Sequence, residues 1–398
     1  MVEERLATAE AAVLDAIDPD EVLRFARALV GAPSENPGGT EDEPAAVAAE
    51  ILTGAGVEPR TIRSETGRPS VVARVGPDAR PRLAWNGHLD VVPAGEPSTW
   101  SSPAYAAEVV DGRLVGRGAA DMKGPIASAL AAVAAIRRAR VELGGALDLH
   151  LVADEEYTGT EGTAALMAEG LLDQDACIVG EPSELQLGLA ERGGAWIQVE
   201  AHGRAAHGST PHLGANAITA IARMLLRLPE ALPDREHPLV GRPTVNPSVV
   251  HGGKARNVVP DRCVLTIDRR TNPGETSPEE ILAPFERLAA DIAAEHPDAD
   301  LRCRVDEWTE AAETAPDAPI AELCRRAVAD ETGSLPTDVG FTGITDARFY
   351  LNDAEIPTVI LGPGSLTVAH TANESVAVDE LVAAARIYAR AFLRFLGA

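Results

Sequence analysis

The sequence predicts an α/β protein with a mostly parallel central sheet flanked by helices, interrupted by a smaller α+β domain of ferredoxin-like order. Three observations carry this. Apolar strands alternate with helical segments up to about residue 190, the pattern switches to a period of two near residue 191, and the α/β pattern returns after Ala311. At 398 residues the chain is too long for one average domain and suits two.

Residues 20–31 and 43–56 read as helices, followed by apolar strands at 70–75, 82–86 and 146–153. A long Ala-rich helix at about 124–139 separates the last two, and a strand at Ala176–Val179 follows. Strands alternating with helices imply a largely parallel sheet. From 195 onward, Ala195, Ile197, Val199 and Ala201 alternate with Trp196, Gln198, Glu200 and His202, a half-buried strand. A helix from Pro211 to about Arg227, strands at 244–251 and 262–270, a helix at 278–295 and a strand at 301–305 complete the order β-α-β-β-α-β. A helix at 318–332, a strand at 357–361 and a final helix at 379–396 restore the first pattern. The expected organisation is a discontinuous domain, 1–190 plus 312–398, with 191–311 inserted in it.

Composition narrows the function. Hydrophobic residues make up 45% and charged residues 24%, as in soluble globular proteins. The net charge of −26 argues against nucleic acid as a partner, which needs a basic patch. Lys123 and Lys254 are the only lysines. An acidic, Lys-poor surface suits a salt-rich host, where charge repulsion is screened; a GC-rich genome that replaces Lys by Arg is the alternative. Cys177, Cys263, Cys303 and Cys324 form no C-x-x-C pair and no disulfide framework, which points to a reduced cytoplasm. The acidic first 16 residues lack the basic start and apolar run of a signal peptide. The longest apolar run, Ile126–Ile136, falls short of the ~20 residues that span a bilayer, so no membrane role is expected.

Five short motifs carry chemistry, and each is weak alone. His88-Leu89-Asp90 ends an apolar strand, where open α/β sheets place ligands; an imidazole there can bind a metal while a carboxylate orients it. A lone His near a strand is more often structural. Asp121 sits among Gly116, Gly118 and Gly124 just before the long helix, which also reads as an ordinary loop with a capping Asp. Asp154-Glu155-Glu156 leaves the strand at 146–153; adjacent carboxylates repel unless a cation or proton lies between them, although an acidic protein also has solvated acidic turns. Glu181 follows the strand at 176–179, and His370 lies near the C-terminus. Together they place oxygen-rich donors and two imidazoles after strands of one predicted sheet, a set that suits zinc or a similar divalent ion without Cys. Asp121 is the natural bridge between two ions about 3.5 Å apart that share a hydroxide.

In order and spacing, this set resembles the two-zinc aminoacylase/carboxypeptidase metallopeptidase family, in its acetylornithine deacetylase and succinyl-diaminopimelate desuccinylase branch. The resemblance runs from Ser34-Glu35-Asn36-Pro37-Gly38 to the last helix. It implies a zinc-exopeptidase-like catalytic domain with an inserted dimerisation or lid domain. It also implies two divalent ions, most simply zinc, with cobalt or manganese as alternatives. His88 and Glu181 would ligate one ion, Glu156 and His370 the other, and Asp121 would bridge. Glu155 would be the general base acting on the metal-bridging hydroxide, with Asp90 steadying His88. In the inserted domain, Gly203–Gly208 would bring His207 to a partner subunit's site to stabilise the oxyanion, so a homodimer through 191–311 is expected. Asn257, in Gly253–Pro260, would contact substrate, and Arg270, in Asp268-Arg269-Arg270, would hold its carboxylate. Turn and surface ion-pair roles for His207 and Arg270 are the bland readings. One departure is Asn373 before Glu374, where the family has Asp. The function implied is hydrolysis of the amide of an N-acyl amino acid or related small carboxylate; a dipeptidase or carboxypeptidase with the same site is the alternative. A catalytically dead relative would lack a ligand or the base, and all are present.

Overall fold

A computed structural model describes residues 2–298 and 300–397. The chain divides into two compact units, 1–189 with 314–339 and 345–398, and 190–313 with 340–344. The short segment 340–344 thus belongs with the second unit, whereas the sequence pattern groups it with 312–398.

The first unit opens with α1 (Val2–Ala16), α2 (Pro19–Val30), α3 (Asp42–Gly54), β1 (Pro59–Arg63), β2 (Pro69–Val75) and β3 (Arg82–His88). It continues through β4 (Glu108–Val110), β5 (Arg113–Val115), α4 (Lys123–Ala139), β6 (Ala146–Val152), α5 (Thr163–Ala168), β7 (Ala176–Val179) and β8 (Leu187–Glu191). The second unit holds β9 (Gly193–His202), α6 (Ala217–Arg227), β10 (Thr244–Gly252), β11 (Arg262–Thr271), α7 (Pro278–Glu295), β12 (Asp300–Thr309) and β13 (Ala312–Glu313). The chain returns with α8 (Pro319–Thr332), β14 (Asp338–Phe341), β15 (Thr358–Ile360), β16 (Ser375–Ala377) and α9 (Val378–Leu396).

The main sheet runs β1-β2-β6-β3-β7-β15-β8. Its centre, β6-β3-β7-β15, is parallel, and the pairs outside it are antiparallel. Every residue of β6 and β7 is buried, as in strands covered on both faces; β7 is an unbroken apolar run, and β6 carries Asp148 and His150 among its apolar residues. Helix α4 is buried on all sides from Lys123 to Ile136, because α1, α2 and α9 pack around it. Its Ala-rich face lets them approach closely.

Parallel pairing decides where the functional loops meet. His88 stands opposite Val152, and Asn86 and Ile360 each stand opposite Val179. The carboxyl ends of four neighbouring strands therefore share one edge, the usual ligand edge of such sheets. A small sheet, β16-β5-β4, ties Ser375–Ala377 to Arg113–Val115 and draws the end of the chain to that same edge.

The second unit has a four-stranded antiparallel sheet in the order β10-β11-β9-β12, the ferredoxin-like arrangement. Ala195, Ile197, Val199 and Ala201 of β9 pack with Ala220, Ile221 and Met224 of α6 and Phe285, Leu288 and Ile292 of α7. Helix α6 begins at Ala217, six residues later than the Pro at 211 suggests. The side chain of Asn216 accepts from the amide of Thr219 and caps the helix, while Pro211–Leu213 form a single tight turn.

Candidate metal centre

The carboxyl ends of β3, β6, β7 and β15 deliver one cluster of donors. His88 is the last residue of β3, and its Nε2 lies 3.0 Å from Asp121 Oδ1 and 3.5 Å from Glu181 Oε1. His370 Nε2 lies 2.9 Å from Glu156 Oε2 and 3.4 Å from Asp121 Oδ2. The two oxygens of Asp121 thus face different imidazoles. Glu155 sits beside this ring, its Oε2 3.9 Å from His88 Nε2. His88, Asp121 and Glu156 form one compact donor group, and His88, Glu155 and Glu181 another.

Local backbone choices aim these side chains. Asp154 and His370 adopt left-handed φ of 64° and 61°, which turns the chain sharply after each strand. Before Glu181, the backbone of Gly180 runs against Trp85: a Cβ there would lie 2.3 Å from Cζ2 of the indole. The ring of Trp85 is held from behind by Tyr388 of α9, edge-on at 5.6 Å between centroids.

The electrostatics are those of anions crowded out of water. Burial, reinforced by Asp346, Glu156 and Asp121, pushes the Glu155 carboxyl well above its usual range against the pull of His88. Burial and Asp121 push Glu181 well above that range too, and raise Glu156. His88 is raised despite burial, because Asp121 and Asp90 hold its proton. His370 is pushed up to about 10 by its hydrogen bonds to Asp121 and Glu156. Buried carboxylates crowded in this way need protons or a bound cation to balance them.

Asp90 does more than the sequence suggested. His88 Nδ1 lies 2.9 Å from the Asp90 carbonyl oxygen and 3.5 Å from its carboxylate. The carboxylate also accepts the amides of Glu155 and Glu156, at 3.2 and 3.1 Å. Sequence reasoning also assigned no role to Glu374, Arg117 or Asp346. Glu374 Oε1 accepts the amides of Ala120 and Asp121 at 2.9 and 3.0 Å, and its Oε2 takes 2.6 Å from Arg117. Asp346 accepts from Thr163, while its buried Oδ1 finds no partner among the described residues. Glu374 was legible as the end of the His370 motif; Asp346 had no signal. Asn373 turns to Ser101 and Thr99 and touches none of the donors above.

Three expected residues lie in the second unit. His207 is exposed, its Nδ1 2.7 Å from Ser209 Oγ, and its backbone bridges Val258. Asn257 is thereby next to it, accepting from the amide of Gly208 at 2.8 Å. Arg270 near the end of β11 pairs with Asp268 at 2.9 Å and lies over Trp196, 5.7 Å from the ring centroid. A cavity of about 700 Å³ in the first unit, lined by Phe25, Ile51 and Arg137, contains none of the donor residues.

The profile of peptidase family M20/M25/M40 matches residues 84–394, from β3 to the last helix. The chain belongs to this family. It is a metal-dependent hydrolase of amide bonds, as M20 enzymes are. A succinyl-diaminopimelate desuccinylase of Paracoccus denitrificans is 34% identical over 372 residues, covering 89% of this chain and 94% of that one. An acetylornithine deacetylase of Myxococcus xanthus is 34% identical over 80% of this chain and 81% of its own. Among solved structures, an M20 metallo-carboxypeptidase from Sulfolobus solfataricus superposes with a TM-score of 0.78 at 18% identity, over 95% of this chain and 99% of that one. Human carnosine dipeptidase 1 gives 0.76 at 18% identity, covering 98% of this chain and 99% of its own. These two share the M20 fold with this chain. No helix among the described residues is long and apolar enough to cross a membrane.

Proposed function

We infer that the enzyme hydrolyses the amide of an N-acylated amino acid or a related small carboxylate, as a deacetylase or desuccinylase does. The observation that carries this reading is the convergence of His88, Asp121, Glu156, Glu181 and His370 on one strand edge with Glu155 beside them. The donors fit a pair of zinc ions. Ligands at about 2.0–2.1 Å around a tetrahedral zinc stand about 3.3 Å from one another, and the nitrogen–oxygen separations here run from 2.9 to 3.5 Å. Cobalt and manganese accept the same donors. Asp121, with one oxygen toward each imidazole, would bridge the two ions; His88 and Glu181 would hold one and Glu156 and His370 the other.

Two divalent ions bound there supply Lewis acidity to the scissile carbonyl and to the attacking water. Glu155 Oε2 takes a proton from that water as its oxygen bonds to the amide carbon. The same carboxyl then gives the proton to the departing nitrogen as the C–N bond breaks. A carboxylate whose proton affinity is raised by burial is suited to both steps. In the second unit, Arg270 holds the substrate carboxylate and Asn257 contacts substrate. His207, supplied by a second copy, stabilises the oxyanion. Their support is local: His207 and Asn257 adjoin, and Arg270 is stacked on Trp196. Strand β10, with Val249 and Val250 exposed, offers a face for self-association of residues 191–311. A cytoplasmic location accords with four free cysteines.

Acyl rather than peptide substrates are favoured because the relatives at 34% identity are deacylases. The dipeptidase and carboxypeptidase reading has only likeness of fold behind it. The test is hydrolysis of N-acetyl, N-succinyl and dipeptide series by wild type and Glu155→Gln, loaded with zinc, cobalt or manganese. The variant should retain metal and lose about 10²- to 10⁴-fold in kcat. Full activity of the variant would remove Glu155 as base, and cleavage of dipeptides alone would overturn the acyl reading.

A further inference from the structure

The segment Ser34–Asn36 lies in no strand or helix of the main sheet, yet it is stitched to the residues that follow His88. Ser34 Oγ donates to the Leu89 carbonyl at 2.7 Å. The amide of Asn36 donates to the Val91 carbonyl at 2.8 Å, and that of Val91 to the Ser34 carbonyl at 3.0 Å. This short parallel pairing carries the side chain of Asn36 inward, where it is 2% exposed. There its single amide group meets two carboxylates from two different strand ends. Nδ2 lies 2.9 Å from Asp90 Oδ2 and 3.0 Å from Asp154 Oδ1.

Both carboxylates are buried, and each is tied to the turn that carries Glu155 and Glu156. Asp90 accepts the amides of both glutamates. Asp154 Oδ2 accepts from Thr158 Oγ1 at 2.7 Å and from the amide of Glu161 at 3.2 Å, closing the turn from its far side. Two buried anions this close repel unless a donor lies between them. An amide group has two hydrogens and no charge, so it serves both at once. An aspartate at 36 would set three carboxylates together, and an alanine would leave two without their common donor.

We propose that Asn36 is a positioning residue of the hydrolysis: its amide clamps Asp90 to Asp154 and so holds the turn that aims Glu155 and Glu156. The proposal rests on Glu155 being the base and Glu156 a ligand. It goes beyond that reading by making the 34–36 segment part of the machinery, acting through Asp90 and Asp154 without touching substrate.

The test uses the full-length enzyme with Asn36→Ala, Asn36→Ser, Asn36→Asp and the pair Asn36→Asp/Asp154→Asn, beside Glu155→Gln. The paired change restores one amide–carboxylate contact at unchanged charge. Readouts are kcat and KM, zinc affinity of the metal-free protein by chelator competition, and thermal melting. Asn36→Ala should lower kcat or zinc affinity by about 10- to 100-fold, with KM within about threefold, while the protein melts as a folded enzyme. Asn36→Ser, with one hydrogen to give, should fall between. Asn36→Asp should be the most impaired, and the pair should recover at least about tenfold of its loss, the mark of direct coupling. If Asn36→Ala and Asn36→Ser keep wild-type kcat and zinc affinity, or if the pair is no better than Asn36→Asp, the clamp is wrong. Full activity of Glu155→Gln would instead fault the base assignment, which separates the two failures.

Discussion

The carboxylate of Glu374 joins two stretches of chain 253 residues apart. It takes the amides of Ala120 and Asp121 on one oxygen and Arg117 on the other. Burial, and then the charge of Asp121, raises its own proton affinity to about 7, against the pull of those amides and of Arg117. Arg117 and Glu374 are 3% and 0% exposed, so removing one partner strands the other's charge. Glu374→Ala should cost about 3–5 kcal/mol of stability by urea unfolding; a loss below about 1 kcal/mol would mean that Arg117 finds another partner. At this scale the sequence was legible for donors and opaque for what holds them. His88, Asp121, Glu155, Glu156, Glu181 and His370 are residue types whose chemistry declares itself at strand ends. Asn36, Arg117 and Asp346 meet Asp154, Glu374 and Thr163, which lie 118, 257 and 183 residues away along the chain. No local pattern announces such a partner.

Elements were legible where one rule governs them. Helix α4 and strand β7 follow from apolar runs, helix α7 from its apolar spacing and the Ser277 cap, and their bounds lie within a residue of the expected ones. Strand β1 and the small sheet β16-β5-β4 did not stand out, because β1 is an edge strand without a buried residue and the strands of the small sheet are three residues each. The delayed start of α6 has a different origin: Pro at 211 suits a helix start, but the side chain of Asn216 makes the real cap. Strand β6 carries a further consequence. Burial holds His150 down to about 4, and its Nδ1 lies 2.6 Å from the Tyr350 hydroxyl. The folded state thus refuses a proton that the unfolded chain accepts below its ordinary value of 6.5. Stability contributed by neutral His150 is complete above that value and is lost as pH falls toward about 4. Across that window wild type should lose up to about 3 kcal/mol more than His150→Gln. Parallel stability curves for the two proteins would contradict a neutral, buried His150.

For the whole molecule, connectivity is what turns scattered weak motifs into a site. Four parallel strands share one edge, and the last segment of the chain is drawn to it by β16 pairing with β5. The same family profile spans the insertion, from residue 84 to 394. The central claim is a dinuclear centre built by five residues, with Asp121 as the bridge among them. Metal analysis of the purified enzyme, compared with Asp121→Asn and His370→Ala, tests it most directly. Wild type should carry two divalent ions per chain, His370→Ala should drop to about one, and Asp121→Asn, which weakens both positions, should fall below that. A wild type that binds a single ion at saturation, or an Asp121→Asn enzyme that keeps two, would contradict the bridge.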